Sequence, residues 1–106
     1  MTQGELFQEL KSIGLPIQYH HFTDPPAPPY LVYLFAYSND LMADNFNYQE
    51  VSSFQIELYT KAKDLINEQK IQDKLKELKM PFSKVEEWIE TEKLYQVVYE
   101  IQLIGG

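Results

Sequence analysis

The feature that most constrains this chain is the run Tyr30-Leu31-Val32-Tyr33-Leu34-Phe35-Ala36-Tyr37. Its β-branched and aromatic composition, closed by the turn residues Ser38-Asn39-Asp40, predicts a strand. Alternation puts Leu31, Tyr33, Phe35 and Tyr37 on one face and Tyr30, Val32, Leu34 and Ala36 on the other, so neither face suits water. Such a strand needs a second layer on each side, or a neighbouring subunit over one of them. The chain has 106 residues to supply those layers, enough for one core in an ordinary domain, and no cysteine to staple it.

The flanking segments predict what those layers are. Thr2-Gln3-Gly4-Glu5 has the capping-box form, Leu6, Leu10 and Ile13 follow at helical spacing, and Gly14 with Pro16 ends this helix near Ser12. Ile17 to Phe22 reads as a strand, followed by a stiff extended connection whose prolines 25, 26, 28 and 29 lack the amide a sheet requires. Leu41 to Asn47 is predicted as a loop or hairpin tip turning at Asp44-Asn45, with Leu41, Met42 and Phe46 where a turn is ordinarily polar. A strand pattern returns from Tyr48 to Tyr59, with Phe54, Ile56 and Leu58 on one side and Gln55, Glu57 and Tyr59 on the other. Asp64 caps a predicted helix to about Lys79 with the inner stripe Leu65, Ile71, Leu75 and Leu78, and Pro81 stops it. Phe82 to Glu92 reads as an exposed, charged strand containing Trp88, and Lys93 as a turn. Tyr95, Val97, Tyr99, Ile101 and Leu103 alternate along a last, half-buried strand. The order α-β-β-β-α-β-β predicts a single α+β domain over residues 1–106, its mainly antiparallel sheet covered by two packed helices.

Few residues offer chemistry. His20 and His21 are the only histidines, and neighbours on a strand point to opposite faces, so the pair is not expected to share a metal. No HxxxH, DxD or GxSxG spacing accompanies them. Asp40 and Asp44 lack the further oxygens and the glycine of a calcium loop. Glu86, Glu87, Glu90 and Glu92 around Trp88 read as the charged face of an edge strand rather than as a glycosidase pair. Gly4, Gly14, Gly105 and Gly106 are too scattered for a phosphate loop. The expectation is a protein that is not an enzyme and uses no cofactor and no metal.

Charge narrows the partners. All nine bases are lysine, against sixteen acids, and residues 1–60 hold only Lys11 among their bases. That balance disfavours specific nucleic-acid binding, which needs a clustered basic face, although an acidic surface lets DNA pass without sticking. No apolar run is long enough to span a membrane, and Met1 to Lys11 lacks the form of a signal peptide, so an intracellular protein without membrane contact is expected.

Tyr19-His20-His21-Phe22, Pro25-Pro26-Ala27-Pro28-Pro29-Tyr30, Tyr33-Leu34-Phe35-Ala36-Tyr37-Ser38, Ala43-Asp44-Asn45, Gln55-Ile56-Glu57-Leu58-Tyr59-Thr60 and Tyr95-Gln96-Val97-Val98-Tyr99-Glu100 carry a further signal. Together they resemble small proteins from the tail-morphogenesis gene block of long-tailed phages and prophages of Gram-positive bacteria. The group is similar to tail-terminator, or tail-completion, proteins, whose helix, three strands, helix and two strands match the order above. The resemblance implies a ring, usually of six subunits, that caps the tail tube, stops its growth and joins the tail to the head. It also implies assembly in the host cytoplasm and a place in the virion. The partners implied are further copies of the chain, the major tail-tube protein and the head-tail connector, with DNA passing through the ring. The residues expected at these protein interfaces are Leu41, Met42, Ala43, Asp44, Asn45 and Phe46 from the loop, with Tyr30, Tyr33 and Tyr37 from the strand. A head-tail connector or minor capsid component is the alternative within this class. A small ubiquitin-like or adaptor protein using Gly105-Gly106 is the alternative from another.

Overall fold

The computed structural model describes residues 1–38, 41–43, 47–49 and 51–104, with the backbone alone for 41–43 and 47–49. Helix α1 (Gln3–Lys11) starts on the capping box: Glu5 N donates to Thr2 Oγ1 at 3.1 Å, and Thr2 N donates to Glu5 Oε1 at 3.0 Å. Two amides that a helix leaves without partners are thereby satisfied. Gly14, at φ 97, turns the chain into β1 (Ile17–Tyr19), which ends three residues earlier than the composition suggests because His20 adopts φ 68. Residues 20–29 then lead into β2 (Tyr30–Ser38).

After β2 comes a separate hairpin, β3 (Leu41–Ala43) against β4 (Asn47–Gln49), where the sequence predicts a loop or tip. The turn at Asp44-Asn45, together with Phe46, lies outside the described residues. Strand β5 (Val51–Thr60), helix α2 (Leu65–Glu77), β6 (Ser83–Ile89) and β7 (Leu94–Ile104) complete the chain. The main sheet has the order β1-β2-β5-β7-β6, with β1 parallel to β2 and every other pairing antiparallel. Both helices pack on one face: Leu6, Leu10, Ile71 and Leu75 meet Leu31, Tyr33, Phe54, Ile56, Leu58, Val97, Tyr99, Ile101 and Leu103 in one buried cluster. The fold is α+β, as the sequence predicts.

Two expectations change. Leu65 is 68% exposed, and the inner position of the first turn of α2 belongs to Glu68, which is buried ahead of Ile71 and Leu75. A carboxylate can take an apolar position here because it is paired: Lys63 Nζ lies 2.8 Å from Glu68 Oε2 and Lys84 Nζ lies 2.7 Å from Oε1. Lys84 also donates to Gln72 Oε1 at 3.0 Å, and Lys63 pairs with Glu86, so the network closes the seam between α2 and β6. Helical periodicity carries no sign of such pairing.

The second change concerns β2. Its register on β5 slips between Phe35 and Tyr37: Phe35 opposes Phe54, whereas Tyr37 opposes Ser53. One extra residue in the strand moves Tyr37 to the face opposite the helices. There its hydroxyl donates to Glu100 Oε1 at 2.9 Å. Tyr37 therefore does not share a face with Leu31, Tyr33 and Phe35.

Burial raises the Glu68 carboxyl, but hydrogen bonds and charge from Lys63 and Lys84 outweigh burial and hold it below its ordinary value of 4.5. A carboxyl lowered on folding stabilises the fold above its unfolded value, and that contribution is lost as pH falls through the native one. Glu68→Gln should cost about 1–3 kcal/mol at neutral pH, by leaving two lysines without their shared partner. Urea melts of both proteins should converge as pH is lowered from about 5 toward about 3; a gap that stays constant would show that the charge is not what stabilises the seam.

Candidate functional site

The helix-free face of the sheet is set by the register. It carries Leu34, Gln55, Glu57, Val98, Glu100, Gln96, Val85 and Glu87, and beyond the bulge Tyr37. Among the described residues its acids are Glu57, Glu87 and Glu100, and no lysine occupies it. The lysine nearest the sheet on β6, Lys84, lies on the other side, against Glu68. The charged strand residues of this face are therefore all negative, and Lys61 and Lys93 stand only at the groove beside its Tyr30 corner.

One corner of this face is covered from within the chain. Phe22 packs edge-on to Tyr30 at 5.3 Å, and Tyr30 stacks on Tyr59 at 5.1 Å. Tyr59 donates to Glu57 Oε1 at 2.8 Å and accepts from Gln96 at 2.8 Å. Burial, then the hydrogen bond to Glu57 and its charge, push the Tyr59 hydroxyl well above the usual tyrosine range. Beside this corner the prolines 25, 26 and 28, with Tyr30, Lys61, Trp88, Glu92, Lys93 and Leu94, line an open groove of about 580 Å³. Trp88 packs edge-on to Tyr95 at 4.8 Å and donates its indole N–H to Glu90 Oε2 at 2.6 Å. Glu90 is lowered by Lys93 and then by Trp88. That holds it ionised, the wrong state for a general acid.

The expected interface residues divide. Tyr33 is buried on the helix side, between Phe7 at 5.5 Å and Tyr19 at 5.1 Å, and Tyr30 is buried in the covered corner. The need of β2 for cover on both faces is thus met by the chain itself along its first half. Its second half differs: Phe35 is 45% and Tyr37 is 47% exposed, on opposite faces. The backbone of Leu41, Met42 and Ala43 forms β3, while Asp44, Asn45 and Phe46, like Asp40 and Gly105-Gly106, lie outside the described residues. Ile104, half-exposed at the end of β7 and opposite Val51, joins this end of the sheet and was not singled out from the sequence. A depression of about 300 Å³ among Gln3, Phe35, Ser52, Phe54 and Leu103 marks where α1 no longer covers the sheet.

His20 and His21 also depart from expectation. They follow β1 rather than extend it, and their Nδ1 atoms stand 3.0 Å apart. Strand alternation does not apply to them.

No family model matches the chain, and no curated protein matches it. A solved structure described as the virion of a native gene transfer agent particle contains a chain that superposes with a TM-score of 0.61 at 14% identity, covering 94% of this chain and 92% of that one. The two chains share a fold. The likeness spans the helices and the sheet rather than one motif.

The exposed end of β2 should tolerate changes that its buried half does not. Tyr33→Ser should cost about 3–5 kcal/mol and Phe35→Ser about 1 kcal/mol. Equal losses in chemical denaturation would mean that the far end of the sheet belongs to the core.

Proposed function

We propose that this chain is a non-enzymatic structural protein of a phage or phage-like particle, acting as a tail terminator. In that role copies form a ring, six in number, that caps the tail tube and joins tail to head. The observation that carries the reading is the fold shared over nearly the whole chain with a component of a gene transfer agent virion. Leaving aside the β3-β4 hairpin, the helices and the strands of the main sheet follow the order helix, three strands, helix, two strands that the tail-terminator resemblance implies.

The geometry supports this role in two ways. A face bearing Glu57, Glu87 and Glu100 and no lysine among its described residues suits a wall along which DNA moves without being held. The far end of the sheet, with Phe35, Tyr37 and Ile104 exposed beside the β3-β4 hairpin, offers apolar surface for neighbours. A head-to-tail contact repeated around a closing rotation makes a ring without a free end. We assign Leu41, Met42, Ala43, Asp44, Asn45 and Phe46 to contacts with the tail-tube protein or the connector, and Tyr37 to the same surface. The protein would assemble in the host cytoplasm and remain in the virion.

Deleting the gene from its phage should give tails of uncontrolled length unattached to filled heads by electron microscopy. Tails of normal length beside emptied heads would make the chain a connector instead. Met42→Asp with Phe46→Asp should reproduce the deletion while leaving the purified protein folded; intact assembly would remove the loop from the interface. Glu87→Lys with Glu57→Lys should leave tail length unchanged but lower infectivity, through slower DNA exit. Undiminished DNA release would remove this face from the passage.

A further inference from the structure

We propose that His20 and His21 form a bidentate site for a divalent transition-metal ion of the zinc, nickel or copper kind. The site is built by the backbone. His20 holds φ 68, a conformation that costs a residue with a side chain about 1–3 kcal/mol and persists only where neighbours impose it. Here they do: His20 N donates to Tyr33 O at 2.8 Å, and His21 N donates to Tyr19 O at 2.8 Å. The second bond spans only two residues and closes a tight γ-turn around His20. Alternation is broken at that point, so two consecutive side chains converge.

The two rings meet edge to face, with centroids 5.2 Å apart and planes at 87°. Their Nδ1 atoms, 3.0 Å apart, share one proton, one ring donating and the other accepting. A metal ion takes this position once the donor ring's proton moves to its own Nε2, which frees both Nδ1 lone pairs with both imidazoles still neutral. Two nitrogens each about 2.05 Å from one ion stand about 2.9 Å apart at a right angle and about 3.3 Å apart at a tetrahedral angle. The observed 3.0 Å lies between them. The turn brings the two rings together, and their donor spacing in the free protein falls within the range one ion requires, which lowers the ordering cost of chelation.

The surroundings favour a cation. Both histidines are exposed, and both line a cavity of about 150 Å³ whose wall includes Glu92 and Tyr59. Glu92 supplies negative charge on that wall. Among the described residues no third histidine, cysteine or carboxylate completes a metal-binding group, so the remaining positions are open to water or to a donor from another molecule. Two imidazoles select borderline ions over magnesium or calcium, which prefer oxygen.

The test is a calorimetric titration of the full chain with Zn²⁺ and with Mg²⁺ in chelator-free buffer, together with Cu²⁺ electron paramagnetic resonance. We expect one Zn²⁺ per chain, no Mg²⁺ binding, and a spectrum showing two imidazole nitrogens. His21→Ala and His20→Gly should each weaken Zn²⁺ binding by at least about 10-fold, since each removes one arm of the chelate. Glycine accepts positive φ, so His20→Gly keeps the turn and separates loss of the ligand from loss of the fold. Zn²⁺ affinity unchanged in either variant, or a single-nitrogen spectrum in the parent protein, overturns the proposal.

Discussion

The structure depends on rows of side chains that run across the three central strands. Leu31 on β2, Leu58 on β5 and Val97 on β7 form one row, and Tyr33, Ile56 and Tyr99 form the next. Each is buried under the helices, so a one-residue slip of any strand would turn an apolar row toward water. The register is fixed by this penalty, and everything at the sheet's edges is positioned by the register. The seam between α2 and β6 follows from it: Lys84 opposes Tyr99 and so stands under Glu68, while Glu86 opposes Val97 and so reaches Lys63.

The bulge in β2 lets one strand do two different things. Through Tyr33 both faces are buried within the chain; from Phe35 on the exposed side chains are half in solvent, and beyond the bulge the phase has changed as well. β1 is too short to pair with this second half, and the Tyr19 hydroxyl accepts the Phe35 amide at 3.3 Å in its place. The sheet therefore runs on beyond its helices, with the β3-β4 hairpin following from its end. The described chain is correspondingly long, 49 Å by 27 Å by 23 Å. Its radius of gyration is 14.9 Å, against about 13 Å for a compact chain of this length.

Most of the fold was legible because it rests on period. The capping box of α1, the alternation in β5 and β7, and the Asp64 cap, which accepts from Asn67 N at 3.0 Å, appear where the residues place them. What stayed hidden depends on contacts distant in sequence. Glu68 is buried only because lysines from a loop and from β6 converge on it, and Tyr37 changes face only because β2 carries one residue more than β5 across the slip. His20 and His21 came together through a backbone angle that histidine rarely adopts, which no pattern of residue types encodes. Of the interface residues read from the aromatic run, Tyr37 is on the surface and Tyr30 and Tyr33 are inside, since composition alone does not separate a core ring from an exposed one.

The segregation of charge across the sheet also bears on how copies can approach one another. Two molecules brought together through their helix-free faces would set Glu57, Glu87 and Glu100 against the same carboxylates, with no lysine among the described residues of either face to separate them. Face-to-face stacking is therefore penalised. Contacts along the β6 edge, where Lys63, Lys84 and Glu86 bring charges of both signs together, carry no such penalty. The same arrangement that keeps one side of the molecule negative thus disfavours pairing of like faces.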